Sequence, residues 1–160
     1  MEYRIATLNE IRVAFFGKTR DALAALPDGD NVWLAAPAQD AKIDLKKLAV
    51  ICSLVWGETT RGEFGGPGSA AERHGFWKMQ VSILAGTDEN LGWDLAQALE
   101  DAFLPYAVED LPVASLDPAD VEPICPIFCD FPYTENLGVL PDKRNGICVT
   151  VPFWTRTQAA

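Results

Sequence analysis

The amino-acid sequence predicts an α+β domain, a mostly antiparallel β-sheet packed against an N-terminal helix and a second amphipathic helix. Three observations lead to it. Residues 5–26 place Leu8, Ile11, Phe15, Leu23 and Leu26 at helical spacing. Residues 77–83 alternate apolar and polar side chains and pass through a short turn into a second amphipathic stretch. The runs at 49–57, 124–131 and 147–154 are short, apolar and bounded by Gly, Pro and Asn-Gly.

Taken in order, Thr7 caps the first helix and Glu10 completes a capping box. Gly17 leaves open one helix or a pair bent there, and Pro27-Asp28-Gly29 ends it. Residues 31–36 read as a short strand stopped by Pro37, and 38–47 as a polar loop or helical turn. The strand at 49–57 is apolar on both faces, which suits a central strand covered on each side. Residues 58–74, with Gly62, Gly65, Gly66, Pro67 and Gly68, read as a long tip between two strands. In the next strand Trp77, Met79, Val81 and Ile83 share one face, and Lys78, Gln80 and Ser82 the other. Thr87 or Asp88 caps the second helix, whose apolar stripe is Leu91, Leu95, Ala98, Leu99, Ala102 and Phe103, with Pro105 as its stop. Residues 106–123 are acidic and loop-like. The run 124–131 is an edge strand because of Pro126, and 132–146 is a second long connection ending in the Asn145-Gly146 turn before a final strand at 147–154. No linker divides the chain, so residues 1–160 form one domain.

A formal charge of −10 argues against affinity built on neutralising phosphates, and Lys42, Lys46 and Lys47 form the one modest basic cluster, on a solvated turn or helix face. The N-terminus shows no secretory pattern, and the longest apolar run, Leu48 to Trp56, is too short to span a bilayer. Cys52, Cys125, Cys129 and Cys148 sit in apolar runs and read as buried small hydrophobes of a reducing compartment. On a strand, Cys125 and Cys129 stand about 13 Å apart, too far to share a zinc ion. His74 is the sole histidine, and no nucleophile motif stands near it. The stretch GEFGGPGSA lacks the Gly-Lys-Ser/Thr ending of a phosphate loop. Acidic pairs such as Glu100/Asp101 and Glu109/Asp110 read as solvated charges. The tryptophans (Trp33, Trp56, Trp77, Trp93, Trp154) divide between core and interface. The chain is therefore expected to be no enzyme and to hold no metal or cofactor.

From Arg73-His74-Gly75-Phe76-Trp77 onward the chain resembles the tail terminator proteins of long-tailed phages and related prophage elements. The likeness is one of order. An alternating strand leads through Ala85-Gly86-Thr87 to the helix Leu95-Ala96-Gln97-Ala98-Leu99-Glu100-Asp101-Ala102-Phe103, and the chain closes on Val151-Pro152-Phe153. Residues 28–48, longer here, and the proline-rich 105–123 depart from the family pattern. The resemblance implies a virion tail protein, assembled in the host cytoplasm. Its copies form a six-fold ring at the head-proximal end of the tail tube, stop tube polymerisation and meet a neck or head–tail connector protein. DNA passes through the lumen without being read, and no membrane is involved. The expected contacts between subunits or rings are Arg61, Glu63, Phe64 and Arg73 in the tip, then Lys143 and Arg144 beside the last turn. Three alternatives stay open: another neck, head–tail joining or tail completion ring protein, a small cytosolic enzyme using His74, and a ligand-binding domain with an aromatic pocket.

Overall fold

The computed structural model describes residues 3–26, 32–35, 48–61, 70–83, 89–141 and 144–158. The element order is α1 (Leu8–Ala24), β1 (Val32–Ala35), β2 (Leu48–Arg61), β3 (Ala70–Ile83), α2 (Glu89–Phe103), a 3-10 turn (Leu104–Ala107), β4 (Phe128–Cys129), β5 (Tyr133–Val139) and β6 (Asn145–Gln158). One six-stranded sheet runs β1-β2-β3-β6, with β4 and β5 sharing the outer side of β6. Every pair is antiparallel except β1 with β2. The α+β class read from the sequence is the class found.

Helix α1 starts where its capping box places it: Glu10 N–H donates to the Thr7 hydroxyl, and Thr7 N–H donates to the Glu10 carboxylate. It runs unbroken through Gly17, because its buried face, Ile11, Phe15, Thr19 and Leu23, recurs every fourth residue and pins both halves to the sheet. Thr19 is polar yet fully buried. Its hydroxyl donates to Phe15 O (3.0 Å) and accepts from Trp77 Nε1–H (3.0 Å). The Phe15 ring stacks on the Trp77 indole at 5.4 Å between centroids and also meets Phe103 and Phe153.

Both helices cover one face of the sheet, formed by Val50, Cys52, Trp77, Met79, Val81, Ile83, Ile147, Val149, Val151 and Phe153. Helix α2 packs with its phase turned from the expected stripe. Leu91 is exposed, while Gly92 and Ala96 are buried beside Leu95, Leu99 and Phe103. The reason is Gly92, where an added Cβ would stand 2.6 Å from Ile83 Cγ1, so the helix approaches β3 through its smallest residue.

Four expectations are corrected. Strand β2 is not covered on both sides: Val50 and Cys52 are buried under the helices, but Val55 on the other face is exposed. The tip is shorter than 58–74, because β2 continues to Arg61 and β3 begins at Ala70. Residues 124–131 give only the two-residue β4 and isolated bridges at Ile124 and Ile127, since Pro126 lacks the N–H that a ladder needs. The connection 132–146 contains a strand, β5, hydrogen-bonded to β6 with a register shift near Gly138, whose φ is +69°. Residues 38–47 with their lysines, and the capping pair Thr87/Asp88, lie outside the described residues. Among the described residues no helix is long and apolar enough to cross a membrane.

Candidate interaction surfaces

Strands β2, β3 and β6 are each fourteen residues long, about 46 Å at strand rise, while α1 spans about 25 Å. The three therefore run on past the helices as an arm. Its rows are Thr59–Arg73–Thr155, Thr60–Glu72–Arg156 and Arg61–Ala71–Thr157. Thr59 and Glu72 are exposed there, while Ala71 and Thr155 are buried, at 2% each.

Arg73, expected as a contact between subunits, lies on this arm and is partly committed within its own chain. Its guanidinium sits 4.4 Å from the centre of the Trp56 ring, and Trp56 meets Phe153 edge-on at 5.4 Å. The arm is thus tied to the core through Arg73, Trp56, Phe153 and Phe15. Arg61 pairs by its backbone with Ala71 at the far end of the described arm. Glu63, Phe64 and Lys143 lie outside the described residues. Arg144 does not stand on the surface of the chain. It is 1 % exposed and donates from Nη2 to Ser82 O, holding the start of β6 against the end of β3.

The sheet face away from the helices forms a second surface. Val55, Phe76 and Pro152 stand in one row across β2, β3 and β6, and His74, Trp154 and Phe128 in the next. Phe128 and Trp154 stack at 4.1 Å, and Val55, Phe76 and Tyr133 are exposed. A band of exposed apolar groups on a regular sheet is a property of contact surfaces. Counted back from Ser82, Gln80 and Lys78, Phe76 falls on their face, opposite Trp77, and an apolar residue at that place is the signal in the sequence for this band.

His74 Nε2 lies 3.4 Å from Glu72 Oε2, both side chains nearly half exposed. Cys129 pairs opposite Phe153, on the face away from His74, and Cys148 pairs with Gln80, six residues or about 20 Å along β3 from His74. Burial pushes the Cys52 and Cys129 thiols up to about 12, and raises that of Cys148. Thiols so raised are poor nucleophiles at neutral pH. Among the described residues no three His, Cys, Asp or Glu side chains gather as metal ligands.

The proline-rich connection is fastened down. Arg4 pairs with Glu10 (2.7 Å) and Asp120 (2.9 Å), and backbone bridges join Arg4 to Ile124 and Leu111 to Ile127. The Arg4 guanidinium, helped by the Thr7 backbone and hydroxyl, holds the Glu10 carboxyl down at about 2.

No protein-family model matches the sequence. No curated protein matches it. Among solved structures the fold has counterparts. One aligns with a TM-score of 0.65 over 96% of this chain and 99% of that chain, at 12% identity. That is a likeness of fold over the whole domain.

Proposed function

We propose that the chain is a structural assembly protein, a tail terminator whose copies close into a ring at the head-proximal end of a phage-type tail tube. The ring stops tube polymerisation and joins the tail to the neck. The observation that carries this reading is the three-stranded arm: fourteen-residue strands longer than the helices that cover them, two of which, β2 and β3, are joined in sequence by the glycine-rich residues 62–69. A ring subunit needs reach to a neighbour or to the tube end, and strands of this length supply it. The acidic chain favours a lumen along which DNA slides without sticking. The apolar band on the helix-free face offers a further contact surface.

Negative-stain microscopy of the full chain, alone and mixed with tail tubes, tests the reading. Six-fold rings, or caps at one tube end that block growth, are expected. A monomer that ignores tube ends overturns it. Shortening residues 63–70 is expected to leave the monomer folded and to impair capping, and tails formed equally well with the shortened tip would remove the arm from the mechanism.

A further inference from the structure

Charge is strongly segregated along the chain. Residues 79–142 contain thirteen Asp and Glu and no Lys or Arg, while the rest of the chain contains all thirteen Lys and Arg against ten acids. The fold turns this into two differently charged flanks of the helical layer. On α1, Phe15 and Lys18 face the end of α2, at Phe103 and Tyr106. At 100° per residue, Arg12, Phe16 and Arg20 therefore lie on the side away from α2. Arg12 and Arg20 are exposed there, with Val13 on the outer surface beside them. Arg12 donates to Asn9 Oδ1 within its own helix, and Arg20 stands a loose 4.0 Å from Asp21, so both remain at the surface.

On α2, Glu100 accepts from the Thr134 hydroxyl of β5, which turns that side of the helix to the opposite edge of the sheet. Trp93, Gln97 and Leu104 continue the same stripe, and Asp94 and Asp101 stand next to Gln97 on the outward face of the helix, Asp101 accepting from Gln97 Nε2. Trp93 and Leu104 are large apolar side chains left exposed, at 42% and 44%. Glu109 and Asp110 extend the acidic surface past the helix end.

We propose that these two flanks are the head-to-tail seam of the ring, the Trp93–Asp94–Asp101–Leu104 surface of one copy docking on the Arg12–Val13–Arg20 surface of the next. The inference rests on the ring reading and names its contact. The occupant follows from charge: the acidic flank meets the one helix of the layer that presents arginines outward. The spacings also match, seven residues or about 10.5 Å on α2 against eight residues or about 12 Å on α1. A two-fold contact of either flank with itself would set like charge on like. A rotation that carries acidic flank to basic flank closes a ring.

The test uses full-length chains carrying R12E/R20E or D94K/D101K, separately and as an equimolar mixture, followed by sedimentation velocity and negative-stain microscopy with and without tubes. Each variant alone is expected to associate at least about tenfold more weakly than wild type, because like charges then face across every seam. The mixture is expected to restore rings, since alternating copies make every seam complementary again. Misfolding does not produce such rescue, and far-UV circular dichroism of each variant checks the fold directly. Either variant forming rings alone as well as wild type, or a folded mixture that stays dissociated, overturns the seam and leaves the ring standing. A wild-type chain that forms no ring under any of these conditions removes the ring itself, and the seam with it.

Discussion

Replacing Thr19 by Val tests whether the buried contact between α1 and the sheet is held by its hydrogen bond or by shape alone. Val matches Thr in size, so packing of the Phe15–Trp77 stack is retained and only the hydroxyl is lost. Trp77 Nε1–H then has no acceptor in a site where Trp77 is 1 % and Thr19 0 % exposed. A buried donor stripped of its partner costs about 1–3 kcal/mol. The Phe15 carbonyl loses one of its donors as well, so about 2 kcal/mol is expected in total. For a chain of this size that lowers the melting temperature by about 4–8 °C. Far-UV circular dichroism through urea and thermal unfolding measures it. Thr19→Ser keeps the hydroxyl and is expected to cost less, about 1 kcal/mol for the lost methyl. In the double variant Thr19→Val/Trp77→Phe both partners are apolar, so the two costs should fall short of adding, with a coupling of about 1–2 kcal/mol. If Thr19→Val melts with wild type, or the two costs add without coupling, the hydrogen bond is not what fastens α1.

Two glycines give opposite outcomes in the same measurement. Gly17→Ala adds a methyl with nothing within 4 Å and should stabilise α1 by about 0.5–1 kcal/mol, whereas Gly92→Ala forces Ile83 aside and should destabilise by about 1–3 kcal/mol. Equal effects at the two sites would refute the close approach of α2 to β3. Stability should also depend on Glu10 in acid. Its carboxyl is held at about 2 when folded, against about 4.3 for an ordinary Glu, so its contribution is complete above about pH 4.5 and is lost as pH falls toward 2. Urea midpoints measured from pH 6 down to 2 should fall less steeply for Glu10→Gln, and parallel curves for the two proteins would rule the group out.

Much of the fold was legible because burial imposes a pattern. The cap at Thr7, the alternation from Trp77 to Ile83 and the fourth-residue repeat of α1 each repeat with the period of the element they build. Strand β5 was illegible for the converse reason. All of its residues but Thr134 are exposed, so nothing forces Tyr133–Val139 to alternate, and it is held by its backbone ladder to β6. The outer parts of β2 and β3 failed similarly, since Thr59, Glu72 and Arg73 carry no apolar alternation, and the burial of the small Ala71 leaves no pattern in the sequence. In α2 the expected stripe holds at Leu95, Leu99 and Phe103 but misses the small residues Gly92 and Ala96, which are buried where Leu91 is exposed. At the candidate surfaces, the reach of the arm was visible as glycine and its length was not. Arg144 looked like a surface cation beside a turn, and only the pairing of β3 with β6 shows that it is enclosed.

The pairing of β3 with β6 also determines how the arm would bear load. Those strands stay in register from Ile83–Asn145 to Ala70–Gln158 without a bulge, whereas β2 shifts register between Trp56 and Thr59. The arm therefore has a stiff spar with no hinge at its root, and a weaker rib alongside. Tension along the strands would load the hydrogen bonds of the spar together, in shear. A sideways tug would peel the rib away first, beginning at its bulge.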